Sequence, residues 1–280
     1  MSVDLHTHSA FSDGSDSPTE LVTKAAKARL EAVALTDHDN LDGVPEAVTA
    51  GAALGIEVIP GIELSCEWDR GGFHMVVLWL EPGSGPLQDR LAELQAGRAT
   101  RNQEMVAKLT ELNVDITYEE VLEEAGGTGV GRPHMAAILL RKGYVESMGE
   151  AFDFYLAAGR PAYVGRARLE PEAAIQLARS SGAVPVIAHP HTLGVAGTEL
   201  DEELKRMAAV GLVGIEAFYP EYEQNTRLEL VERANQAGLE PSGGSDYHGT
   251  YKPGLKLGSG YGDLSVSSEV LENLRQHQGI

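Results

Sequence analysis

Nitrogen and oxygen groups able to bind metals recur along this chain, each close to an apolar run. Asp4-Leu5-His6-Thr7-His8 sets two histidines at i and i+2, which on a strand project from one face as a chelating pair requires. Thr36-Asp37-His38-Asp39 follows Ala32-Val33-Ala34-Leu35, so a buried strand ends in three titratable groups whose unpaired burial would be costly. Gly61-Ile62-Glu63 offers a carboxylate able to bridge two cations, and Phe73-His74 opens another apolar run. Ala188-His189-Pro190-His191 and Gly244-Ser245-Asp246-Tyr247-His248 close two more. Each stretch alone has a bland alternative: polar decoration of a half-buried strand for His6 and His8, a surface loop for Glu63, a satisfied core histidine for His74. The coincidence decides, because chance does not place a ligand at every strand end. Cys66 is the only cysteine, which excludes sites built from several thiolates and leaves imidazole and carboxylate as ligands.

These residues meet only if the fold brings strand ends together. Strand-like runs at 3–6, 32–36, 57–60, 73–78, 184–188, 213–217 and 241–245 alternate with helical stretches, as βα units do. Ser17-Pro18-Thr19-Glu20 reads as an N-cap, a first-turn proline and a capping-box glutamate, which secures the first unit. In a βα barrel the C-terminal strand ends converge on one mouth. There the histidines would face Asp4, Asp13, Asp37, Glu63, Glu216 and Asp246. Residues 81–183 interrupt the alternation with mostly helical sequence and a turn at Gly126-Gly127-Thr128-Gly129. The expected division is a barrel of 1–86 and 166–280 with a helical insertion, 87–165, as a lid over the active site.

Hydrophobic residues make up 42% of the 280-residue chain, enough for a real core, and runs such as Met75–Leu80 are too short to cross a bilayer. The start, Met1-Ser2-Val3-Asp4, lacks the basic and apolar regions of a signal peptide, so a soluble, cytoplasmic protein is expected. With 42 acidic against 22 basic residues the formal charge is −20, and the overall field repels polyanions such as duplex DNA. A small phosphorylated substrate, or the end of a single strand, fits if bound cations reverse the potential inside a cleft. No membrane or obligate protein partner is indicated.

Asp4-Leu5-His6-Thr7-His8 with Ser12-Asp13-Gly14, Leu35-Thr36-Asp37-His38-Asp39, Gly61-Ile62-Glu63-Leu64-Ser65, Ala188-His189-Pro190 and Gly244-Ser245-Asp246-Tyr247-His248 occur in the order of the PHP motifs. The chain thus resembles the PHP family, named for polymerase and histidinol phosphatase, over almost its whole length. The resemblance implies an α/β fold, a distorted seven-stranded (β/α)7 TIM-like barrel with a helical insertion. It also implies two or three divalent ions, manganese, iron or zinc, with magnesium possible. One metal would take His6, His8, Glu63 and Asp246, a second Glu63, His74 and His189, and a third Asp13, His38 and His248. Many histidinol phosphatases carry a histidine where this chain has Asp13, so the third site is expected to bind more weakly and to favour manganese or magnesium.

A metal-bridging hydroxide is the expected nucleophile, and the leaving alkoxide's proton would come from His191, Asp246 or another metal-bound water. Arg132, His134 and Arg160, beside glycine and proline turns, are the expected phosphate contacts. For Arg98 and Arg101 on a charged helix, a solvated surface position is the stronger reading. Arg132-Pro133-His134 resembles the phosphate-contacting segment of one branch of the family. That branch includes phosphatases of nucleoside 3′,5′-bisphosphates and enzymes that trim short RNA from the 5′ end. Hydrolysis of a nucleotide phosphate ester is therefore the leading expectation. Histidinol-phosphate phosphatase is the alternative among enzymes, and a non-catalytic metal- or nucleotide-binding module the alternative outside them.

Overall fold

The computed structural model describes residues 2–125 and 130–279, so the turn expected at 126–129 lies outside the described residues. The chain divides into two compact units, Met1–Leu91 with Arg168–Ile280, and Ala92–Ala167. In chain order the elements are β1 (Ser2–Asp4), α1 (Pro18–Lys27), β2 (Ala32–Leu35), α2 (Val44–Leu54), β3 (Glu57–Cys66), β4 (Phe73–Leu78) and α3 (Pro86–Glu111). Then come α4 (Tyr118–Glu124), α5 (Arg132–Arg141), α6 (Met148–Ala151), α7 (Pro171–Ser180), β5 (Val184–Ile187) and α8 (Thr198–Ala208). The chain finishes with β6 (Gly214–Phe218), α9 (Gln224–Ala237), β7 (Glu240–Gly243), β8 (Val266–Ser267) and α10 (Ser268–Arg275).

The first unit is built on one mixed sheet in the order β7-β6-β5-β4-β3-β2-β1-β8. The segment after β1 meets the end of β7 and the segment after it, through Leu5 N–H donating to Gly243 O at 3.3 Å and a parallel bridge between Thr7 and Tyr247, which nearly closes the barrel. Side-chain direction alternates as a pleat demands. Ala32 and Ala34 of β2 join Val3, Ile59, Val76, Leu78, Val184 and Val186 in one core, while Val33 and Leu35 pack with Leu21, Val22 and Ala25 of α1 and Val44 and Ala47 of α2. The expected N-cap of α1 is present: Ser17 Oγ accepts from Glu20 N–H and the Glu20 carboxylate accepts from Ser17 N–H, satisfying two otherwise orphaned donors.

Two features depart from a seven-stranded parallel barrel. An eighth, two-residue strand, β8, pairs antiparallel with β1. More consequentially, β3 runs on past the expected end at Pro60. It pairs parallel with β2 as far as Pro60, then antiparallel with β4 from Gly61 to Cys66, and β4 is in turn antiparallel to β5. The second unit has its own core, formed by Met105, Leu109, Val121, Met135, Ile138, Leu139 and Leu156. No helix among the described residues is long and apolar enough to cross a membrane.

Candidate metal centre

The ligand-type residues gather at one end of the barrel because most follow a strand that points there. His6 and His8 follow β1, Asp37 and His38 follow β2, His189 follows β5, and Asp246 and His248 follow β7. Glu63 lies within β3 and bridges to His38. His74 belongs to the same end although it sits at the start of its strand, because β4 is reversed and His74 pairs with Ser65.

Glu63 is buried at the centre and divides its oxygens. Oε2 lies 3.3 Å from His6 Nε2, 3.3 Å from His8 Nε2 and 3.1 Å from His38 Nδ1. Oε1 lies 3.0 Å from His74 Nδ1 and 2.9 Å from His189 Nε2. Asp246 Oδ1 completes the first set, 3.6 Å from His6 Nε2 and 3.3 Å from His8 Nε2, with the two Nε2 atoms 3.1 Å apart. A tetrahedral ion with bonds of about 2.0–2.1 Å places its ligand atoms about 3.4 Å from one another, which matches this set. Asp13 forms the third group, 3.2 Å from His248 Nε2, 3.5 Å from His38 Nε2 and 3.6 Å from His8 Nδ1. It alone of the cluster is exposed, its side chain at 53%.

Three of the carboxylates expected at this depth hold the ligands from behind. Glu216 faces His6 Nδ1 at 3.1 Å and accepts from His189 N–H at 2.6 Å. Asp37 accepts from Ser9 N–H, Ser9 Oγ and Ser12 Oγ at 2.8, 2.6 and 2.6 Å, fixing the turn that carries Asp13. Asp4 accepts from Ser245 N–H, Ser245 Oγ and Gly258 N–H, tying the segment after β7 to β1. Asp246 Oδ2 accepts from Tyr219 Oη at 2.8 Å and Lys252 Nζ at 2.5 Å, which aims Oδ1 at the histidines. His189 and Asp246 both have positive φ, 27° and 50°, a strained conformation that recurs at functional sites.

The electrostatics call for cations. Burial pushes the Glu63 and Asp246 carboxyls up, but neighbouring histidines outweigh it and hold both well below the usual range. Burial depresses His6 and His8, yet Glu216, Glu63 and Asp246 raise His6 well above its ordinary value, and hydrogen bonds to Asp246 and Glu63 bring His8 to about 9. Two buried ring nitrogens, His8 Nδ1 and His38 Nδ1, make no hydrogen bond among the described residues, although carboxylate oxygens of Asp13 and Glu63 lie 3.6 and 3.1 Å away. Ring nitrogens that face carboxylates without a hydrogen bond, paired carboxylates and tetrahedral spacing together fit divalent metals.

His191 lies at the edge of this group, its ring 6.0 Å from His189 and in contact with Tyr219 and Tyr222. The expected phosphate contacts belong to the second unit. Arg132 lies over the rings of Phe152 and Tyr163, His134 Nδ1 accepts from Gly131 N–H, and Arg160 is exposed. Arg101, read from sequence as a solvated charge, is buried. Burial, then the charges of Arg132, Arg166 and Arg98, push its pKa down to about 10, and its Nε has no partner among the described residues. The missed signal was positional: Arg101, Met105 and Leu109 recur at i, i+4 and i+8, the buried face of α3.

A barrel whose strand ends carry buried histidines and carboxylates spaced for several divalent ions defines a metal-dependent hydrolase. The chain belongs to the PHP domain family, whose model matches residues 4–158. It is 32% identical over 257 residues to a 3′,5′-nucleoside bisphosphate phosphatase of Chromobacterium violaceum, covering 91% of this chain and 90% of that protein. It is 34% identical over 245 residues to a 5′-3′ exoribonuclease of Haemophilus influenzae, covering 88% of this chain and 89% of that one. The crystal structure of a Bifidobacterium adolescentis protein, proposed to be a metal-dependent phosphoesterase, superposes with a TM-score of 0.79 at 30% identity and covers 99% of this chain and 96% of its own. The chain is accordingly a metal-dependent phosphoesterase, a phosphoric ester hydrolase of the PHP family.

Proposed function

We propose that this phosphoesterase acts on nucleotides, removing the 3′-phosphate of a nucleoside 3′,5′-bisphosphate or cleaving short RNA stepwise from its 5′ end. The similarity over about nine-tenths of both partners to a bisphosphate phosphatase and an exoribonuclease supports this substrate class. The observation that carries the hydrolytic role is Glu63, whose two oxygens face two different histidine sets. In this reading His6, His8, Glu63 and Asp246 hold one metal, Glu63, His74 and His189 a second, and Asp13, His38 and His248 a third. Divalent ions such as manganese, iron or zinc supply charge neutralisation for the phosphate and acidify water for attack on phosphorus.

The chain's own groups orient and exclude. Glu216 fixes the face His6 presents, Asp37 holds the Asp13 turn, and Tyr219 with Lys252 occupies Asp246 Oδ2. Because Asp246 already uses both oxygens, His191 is the better group to meet the leaving oxygen. In the helical unit, Arg132, His134 and Arg160 are the proposed contacts for a second phosphate of the substrate, with Arg101, whose charge is felt by Arg132, added to them; guanidinium suits that task.

The test is phosphate release by the manganese-loaded protein from adenosine 3′,5′-bisphosphate, a short 5′-phosphorylated RNA and histidinol phosphate. At least one nucleotide substrate should exceed histidinol phosphate by about tenfold or more in kcat/KM. Preference for histidinol phosphate would overturn the nucleotide assignment.

A further inference from the structure

Tyr222, in the turn after β6, lies against the segment after β5 that carries His189 and His191. Its hydroxyl oxygen is 3.2 Å from the backbone nitrogen of His191 and 2.8 Å from His191 Nδ1. The backbone N–H can only donate, so the hydroxyl accepts there. The hydroxyl hydrogen then needs an acceptor of its own. Tyr222 is buried, and among the described residues His191 Nδ1 is the one acceptor bonded to it. An imidazole that accepts at Nδ1 carries its proton at Nε2. That Nε2 is engaged by no hydrogen bond among the described residues, and the residue is exposed. The ring lies 5.5 Å from that of Tyr219, whose hydroxyl bonds Asp246 Oδ2.

We infer that Tyr222 locks His191 in the Nε2–H tautomer, making the ring a preorganised neutral hydrogen-bond donor to the ester oxygen that leaves phosphorus. This rests on the phosphoester hydrolysis proposed above. As the P–O bond breaks, its electron pair remains on the ester oxygen, His191 Nε2–H bonds to that oxygen, and water supplies the proton that completes the alcohol. Tyr222 touches no substrate and acts as a positioning residue. Such donors contribute most where charge develops, so their loss falls on turnover more than on binding.

Two measurements on the full chain test this. In zinc-loaded protein with ¹⁵N-labelled histidine, the His191 ring should show a protonated Nε2 and a bare Nδ1, and Tyr222→Phe should give a mixture of tautomers. A protonated Nδ1 in the unmodified protein, or a pattern unmoved by Tyr222→Phe, overturns the inference. In manganese-loaded protein, Tyr222→Phe should lower kcat on adenosine 3′,5′-bisphosphate by about tenfold, with KM within about twofold. Turnover of 4-nitrophenyl phosphate, whose leaving group needs no such donor, should stay within about twofold. His191→Gln, with an amide N–H near the position of Nε2, should retain activity within about threefold, whereas His191→Ala should lose about a hundredfold. Equal losses on both esters at unchanged metal content would make Tyr222 merely structural and overturn the inference. If the unmodified protein cleaves no phosphate ester, the functional reading falls, and the ring spectrum alone decides the tautomer.

Discussion

Glu63 and Glu216 are both buried carboxylates on strands of one barrel, yet they do different work. Glu63 presents its oxygens to five histidines, whereas Glu216 grips the far nitrogen of His6 and the backbone of His189. Sequence spacing set Glu216, Asp4 and Asp37 at the depth of the ligands but could not say which faced the metals, because that depends on rotamer and on the neighbouring strand. Glu216→Gln keeps the shape and removes the charge that makes His6 a strong ligand. It should weaken metal binding by about 10- to 100-fold, read by titration against a competing chelator, and leave the fold intact. The same cluster makes loading pH-dependent. Against the depressing effect of burial, carboxylate partners raise the pKa values of His6, His8 and His189, with His8 reaching about 9. A protonated imidazole cannot ligate, so protons compete increasingly as pH falls below about 9, and affinity should rise with pH through the neutral range. Calorimetric titration with zinc in two buffers of different ionisation enthalpy should show net proton release at neutral pH; no release would contradict the assignment.

At the scale of elements, most of the framework was legible. The capping box of α1 and the apolar runs of β2 and β5 stand in the sequence as local patterns, and the structure places those elements where the patterns fall. The direction of β4 was not legible, because a six-residue apolar strand reads alike in both directions; only its reversal explains how a histidine at its start reaches the mouth. β8 was missed because two residues carry no period. The turn after β7 sets a tight tolerance. A Cβ at Gly244 would come within 2.4 Å of His6 N and 2.5 Å of His6 Cβ, and the segment after β1 that carries both is already held on its other side by Thr36 N–H donating to Thr7 O. Gly244→Ala should therefore displace His6, costing about 1–3 kcal/mol of stability by overpacking, with a matching loss of bound metal. Thermal unfolding and metal analysis of the same sample would check both effects.

At the scale of the molecule, a chain of net charge −20 handles an anionic substrate by concentrating positive charge locally. The first unit does so with its candidate metal centre. The second unit gathers Arg101 near Arg98, Arg132 and Arg166, a cluster hidden from a reading that treats helix charges as solvated. Because the proposed ligands lie on or just after six strands of one barrel, metal binding and folding should be coupled. An ion held at about 100 times its Kd adds about 2.7 kcal/mol, so chelation should lower the melting temperature of the first unit by roughly 5 °C or more; an unchanged midpoint in scanning calorimetry would speak against bound metal. The most direct test joins metal content to turnover in Glu63→Gln. The unmodified protein should carry two or three ions and release phosphate from a nucleotide, while the variant should hold about one ion fewer or less and turn over at least about a thousandfold more slowly. A variant that keeps its full metal content and acts within about tenfold of the unmodified protein would contradict a centre bridged by Glu63.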